Sequence, residues 1–308
     1  MPSPDQQDQS DFLFVTAIDH RVNFVKDLVG ADGESPAAAD LERAAHLKGI
    51  VFAGLAAAVE AGLPKSQTAV WAEPELGEAV LLRARGMSMP TIASVERPGS
   101  GLFQLQNVLG FTDRLKNLGA SFAGARIIHT VGGDIAEKES HLQTLRRLSE
   151  VSRSEGPPLL LELMPSPHAP ESGDITEPEG LLESLRDLQD AGVEPAIWVF
   201  DAPANKKMAE TLAAQAHLDD RNGLRVLFIV GQDPDKSLTT AAQEKMVTMA
   251  ARTPGVGGIL IGPGAYSQVL RDYHAEKIGR DDAVEKIAET VGSIGMKFID
   301  ALTTSDVS

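Results

Sequence analysis

Several charged residues stand inside or just beyond short apolar runs, and these are the residues best placed to do chemistry. Asp19, His20 and Arg21 follow the run Phe12–Ile18. Glu73 follows Thr68–Ala72, and Glu96 and Arg97 follow Thr91–Val95. Arg126 and His129 lie in Ala125–His129, Glu162 lies in Pro158–Met164, and Asp201 follows Ala196–Phe200. Gln232 and Asp233 follow Arg225–Val230. Carboxylates gathered in one place can take up and return protons, and arginines can hold anionic oxygen. Glu162 is the sharpest case because it interrupts Leu159-Leu160-Leu161. A carboxylate pointing into such a run needs a cation or a hydrogen-bond donor. Taken one at a time, acids beside apolar runs are more often helix caps or solvated loop residues. Taken together, they read either as a polar mouth that binds a hydroxylated ligand, or as an ion-pair network closing the end of the fold.

The elements that must position these residues are legible from hydrophobic pattern. The eight runs (the last being Gly258–Ile261) are almost continuously apolar, as expected of parallel strands covered on both faces. Helical patterns separate them: Leu41 to Ala61 with Asp40 as cap, Glu137 to Arg153, Glu179 to Ala191, Lys206 to Leu218, Thr239 to Ala251, and Asp281 to Leu302 with Asp281 as cap. Strand–helix alternation repeated eight times predicts a closed (β/α)8 TIM barrel spanning residues 11–308, preceded by a disordered polar tail at residues 1–10. The competing open doubly wound sheet would carry a phosphate-binding glycine fingerprint after its first strand, and none is present. In a barrel the site lies at the carboxyl ends of the strands, where the charged residues fall. The polar loop Ser166 to Pro178 would overhang that face, as a lid or as a plain loop.

Composition narrows the function. The chain has 308 residues, no cysteine and a net charge of −16, which removes thiolate chemistry and disfavours nucleic acid and anionic membrane surfaces as partners. No apolar stretch reaches the ~18 residues of a membrane span, and the N-terminus has no signal pattern, so a cytoplasmic protein is expected. Gly262 and Gly264, after the eighth run, could offer backbone N–H groups to a phosphate, with Arg97 and Arg126 adding charge. His20, His129, His168 and Glu162 show no fixed metal-ligand spacing. No cofactor is expected, with Mg²⁺ or Mn²⁺ held by the acids as the open alternative.

These residues also carry a family likeness. The segments AIDHRVNFVKDLVG, WAEPELGEAVLLRARGMSMPTIASVERPGSGLF, LLLELMPSP and TPGVGGILIGPGAYSQVLRDYHAEKIGRDDAVEKIAETVG resemble the aldolase-like domain of bacterial 5-dehydro-2-deoxygluconokinase, and more distantly tagatose 1,6-bisphosphate aldolase. The resemblance runs over roughly residues 11 to 302. It implies a class I aldolase barrel that cleaves a carbon–carbon bond in a keto-sugar or sugar phosphate, within carbohydrate breakdown, that of inositol included. Such enzymes hold the substrate as a Schiff base on a lysine of the sixth strand, two residues before an acid. Here the acid position is Asp201 and the lysine position is Val199, and Arg126 stands where related aldolases carry lysine. Lys206 and Lys207 lie further along the chain. The expected site has Asp19, Glu162 and Asp201 as catalytic groups. His20, Arg21, Glu96, Arg97, Arg126, Gly262 and Gly264 would bind substrate. The alternatives are a metal-dependent lyase or isomerase, and a non-catalytic regulator that binds a sugar phosphate. A homo-oligomer is compatible with either.

Overall fold

A computed structural model describes residues 12–19, 24–30, 36–97, 103–106, 110–129, 134–164, 177–219, 221, 225–235 and 239–304. Eight parallel strands close into a barrel in sequence order: β1 Leu13–Ala17, β2 Thr68–Ala72, β3 Thr91–Ser94, β4 Phe122–Ile128, β5 Leu159–Met164, β6 Ile197–Asp201, β7 Arg225–Val230 and β8 Val256–Ile261. Around it run α1 Ala38–Glu60, α2 Pro74–Gly86, α3 Phe111–Leu118, α4 Ile135–Ser154, α5 Glu177–Asp190, α6 Lys206–Ala216, α7 Thr240–Ala251, α8 Ser267–His274 and α9 Arg280–Thr303. This is the expected (β/α)8 barrel. Among the described residues no helix is long and apolar enough to cross a membrane.

The two-residue period of the strands divides the core in two. One set of residues fills the barrel interior, including Val15, Ala17, Trp71, Ile92, Leu160, Val199, Ile229 and Leu260. The alternate set, including Phe14, Val70, Leu161, Phe200 and Phe228, packs beneath the helices. Both faces of each strand are therefore buried, which is why the sequence reads as unbroken apolar runs. The parity also settles where each rim residue points. Asp19 continues the inward series of Val15 and Ala17, Glu73 that of Ala69 and Trp71, and Asp201 that of Ile197 and Val199.

Several element boundaries differ from expectation for identifiable reasons. Asp40 does not cap α1; the helix begins at Ala38, and Asp40, in its first turn, accepts from the Ala37 N–H at 3.3 Å. Asp281 likewise lies inside α9, which Gly279 opens, with Asp282 accepting from the Gly279 N–H. Helices α2, α3 and α8 were not expected. The first follows its strand directly, with Pro74 opening it, and the other two have only eight residues each, too few turns for a clear period. Strand β8 starts two residues early, at Val256, because Gly257 and Gly258 hide it from an apolar-run reading. The tail at 1–10 and the loop from Ser166 lie outside the described residues, although Pro178 already belongs to α5.

Candidate functional site

Arg126 is the centre of the carboxyl-terminal mouth. On β4 it is in register with Glu162 on β5, and Glu162 is in register with Val199 on β6. Beneath it lies the indole of Trp71, whose ring centre is 5.4 Å from the guanidinium carbon and whose Nε1 donates to Ser94 Oγ at 2.9 Å. The indole fits because position 124 is glycine: a Cβ there would stand 2.6 Å from Trp71 Nε1 and 2.5 Å from Ile92. A flat aromatic floor thus supports the arginine at the height where the strands end.

The guanidinium is clamped by acids from two strands. Its Nε donates to Glu162 Oε1 at 2.9 Å. The other two nitrogens face Asp19, with NH2 to Oδ1 at 3.3 Å and NH1 to Oδ2 at 3.2 Å. Gln232, beyond β7, donates from Nε2 to the same Glu162 oxygen at 3.2 Å. Burial works against the charge of Arg126, but Asp19, Glu162 and more distantly Glu96 outweigh it and hold its pKa above the ordinary arginine value. The site therefore keeps a permanent cation.

A second buried pair stands at the edge of the mouth. Lys48 on α1 and Glu73 after β2 are both fully buried, with Nζ to Oε2 at 2.9 Å. Lys48 also donates to the carbonyl oxygen of Ile18, the neighbour of Asp19, and lies 4.7 Å from the centre of the Phe24 ring. Burial raises the pKa of Glu73 in spite of Lys48. Tyr266, after β8, is buried and donates to the Ala17 carbonyl at 2.6 Å; burial and then Asp19 push its pKa well up. Lys48, Trp71 and Tyr266 were not singled out from the sequence. Lys48 sits on the apolar face of a helix, and nothing in the order of residues ties it to Glu73.

The expected residues are distributed as follows. Asp19, Arg126 and Glu162 meet directly, and Glu96 is near enough to act on Arg126. Asp201 stands at the end of β6, two residues past the buried Val199. Arg97 is exposed, its backbone N–H bonded to the Gln104 carbonyl. His20 and Arg21 lie outside the described residues, as does His168. The N–H groups of Gly262 and Gly264 are already committed, to Val230 O at 2.9 Å and Gly231 O at 2.8 Å. These glycines are explained by close approach, because a Cβ would lie 2.5 Å and 2.9 Å from the Gly231 oxygen. His129 has the opposite parity to Arg126 and faces the helices, with Nε2 2.7 Å from Asp187 on α5. Lys206 is solvated and pairs with Glu210 within its own helix. Among the described residues no group of three His, Asp or Glu side chains is arranged to hold a metal ion.

The family model described as "Uncharacterized protein conserved in bacteria (DUF2090)" matches residues 3–298. The chain belongs to the DUF2090 family. No curated protein matches this DUF2090 member significantly in sequence. Its fold is similar to that of a fructose-bisphosphate aldolase from Plasmodium falciparum, solved in complex with TRAP and a small-molecule inhibitor. The TM-score is 0.61 at 13% identity, covering 92% of this chain and 90% of that one. It is also similar to a fructose-bisphosphate aldolase from Slackia heliotrinireducens DSM 20476, with a TM-score of 0.56 at 11% identity over 94% and 93% of the two chains. At these identities the likeness of the DUF2090 chain is one of fold.

Proposed function

We propose that this DUF2090 barrel is an aldolase-type carbon–carbon lyase of the cytoplasm, acting on a keto-sugar or sugar phosphate in carbohydrate breakdown. This is the activity implied by its resemblance to the aldolase-like domain of 5-dehydro-2-deoxygluconokinase. The observation that carries the reading is Arg126 held between Asp19 and Glu162 in the mouth of the barrel. Cleaving a β-hydroxy ketone needs a base for the hydroxyl proton and a sink for the electrons of the breaking bond. Glu162 takes the hydroxyl proton as the carbon–carbon bond opens and the aldehyde forms. The electron pair moves onto the carbonyl oxygen, where Arg126 stabilises the enolate through the guanidinium N–H groups that its carboxylates leave over. Glu162 then returns the proton to the enolate carbon, giving the second carbonyl product. Asp19 fixes the plane of Arg126, and Glu96 and Asp201 hold substrate hydroxyls. No imine enters this scheme, because Val199 occupies the expected lysine position and is fully buried.

Borohydride tests the scheme, because it reduces an imine to a stable amine and so inactivates a Schiff-base enzyme. After treatment with borohydride alongside each of a panel of ketoses and their phosphates, and removal of the reagent, the protein is expected to keep its cleavage activity and to carry no added mass. A reduced adduct mapped to Lys48, or to any other lysine, would replace Arg126 as the electron sink. Val199 also favours a second reading, a non-catalytic sugar-binding regulator. Tight ketose binding without cleavage would select it.

A further inference from the structure

Among the described residues, the mouth holds several buried acceptors that no donor reaches. Glu162 is 1% exposed, and while its Oε1 accepts from Arg126 and Gln232, its Oε2 has no hydrogen-bond donor among the described residues. Gln232 Oε1 is buried in the same condition. Its amide is fixed in this orientation, because exchanging O and N would set two acceptors against each other at Glu162. A buried acceptor left unmade is costly, so these oxygens call for donors from a ligand.

Among the described residues, the backbone donors of the turn after β8, where a phosphate would sit, are engaged. Besides Gly262 and Gly264, the N–H groups of Ala265 and Tyr266 go to Gly262 O and Pro263 O. Arg271, behind the turn after β7, donates to the Pro234 carbonyl at 2.7 Å and pairs with Asp235 at 3.5 Å. Along the described rim, the five acids Asp19, Glu73, Glu96, Glu162 and Asp201 outnumber the three cations Lys48, Arg97 and Arg126. That balance repels a dianion.

We propose that the ligand of this mouth is an unphosphorylated polyhydroxy ketone, whose hydroxyl groups donate to Glu162 Oε2 and Gln232 Oε1, and that its phosphate ester is excluded. The assignment rests on the lyase reading for the location of the site and narrows the substrate class within it.

Isothermal titration calorimetry on the full chain tests this with D-fructose and D-tagatose, their monophosphate esters, and inorganic phosphate. Each free ketose is expected to bind at least about tenfold more tightly than its ester, the difference one lost charge-matched contact makes. Inorganic phosphate should not compete. Glu162→Gln, which turns an acceptor into a donor at constant volume, should weaken the free ketose about tenfold. Esters that bind as well as or better than free ketoses would overturn the assignment and leave the lyase reading standing. No binding by any probe would overturn both. Free ketose bound but never cleaved would sustain the ligand class and remove the lyase.

Discussion

Lys48 is the residue whose role is easiest to isolate, because its partner is equally buried. Removing one member of a buried ion pair strands the other charge, which costs about 3–5 kcal/mol. Lys48→Met is therefore expected to lower unfolding free energy by that amount in urea titration, with much of it recovered in Lys48→Met/Glu73→Leu. A loss below about 1 kcal/mol, the range of a solvated pair, would mean that Glu73 is not held as described. At this scale the sequence was informative where a charge broke an apolar pattern. Glu162 and Arg126 stand out for that reason, and they meet because adjacent parallel strands keep them in register. Lys48 was illegible because its bond to Glu73 spans 25 residues and depends on how α1 lies on the barrel. His129 was misplaced, although strand parity was available: if Arg126 points inward, His129, three residues on, points outward.

Between β4 and the helices α4 and α5 lies a cluster that the mouth does not use. His129 reaches Asp187, Lys138 pairs with the same carboxylate at 2.8 Å, and the His141 ring stacks on His129 with centres 5.6 Å apart. Burial, and then His129, lowers the pKa of His141 from 6.5 to about 4. Burial also lowers that of His129, outweighing Asp187. Between those two values the unfolded chain binds a proton at His141 that the folded chain refuses. Stability contributed here is intact above pH 6.5 and is lost as pH falls toward 4, by at most about 1.4 kcal/mol per pH unit. His141→Phe keeps the stacked ring and removes the titration. Its urea midpoint is expected to fall less steeply with acid across that window than the wild type, and equal slopes would remove His141 from the effect. Short elements were the ones that pattern reading missed: α3 and α8 have eight residues apiece, and β8 begins with two glycines in its first three positions.

The whole molecule depends on closing β8 against β1, where Gly258 pairs with Leu13. Gly258 has φ +151°, and a Cβ there would lie 2.0 Å from the Leu13 carbonyl oxygen. That contact is backbone and cannot be relieved by a rotamer change. Gly258→Ala is expected to cost more than about 4 kcal/mol, the diagnostic range for strain of this kind, and to show as a large drop in Tm or loss of soluble protein. Gly257→Ala is the control, since its Cβ would meet only the Arg225 side chain at 3.5 Å. A Gly258→Ala protein as stable as the control would contradict the described closure. The architecture was legible in the sequence because a parallel barrel buries both faces of every strand and so writes eight plain apolar runs. The phosphate turn was not, because glycines that admit a ligand and glycines that admit a neighbouring loop look alike until their N–H partners are known.

The central claim is that Glu162 moves the proton in a cleavage driven by Arg126. The rate of ketose cleavage in Glu162→Gln against the wild type tests it most directly, with circular dichroism and Tm showing that the variant is folded. Turnover is expected to fall by about 10²–10⁴, the contribution of a positioned general base, with the fold intact. A folded variant that cleaves at the wild-type rate would contradict the mechanism.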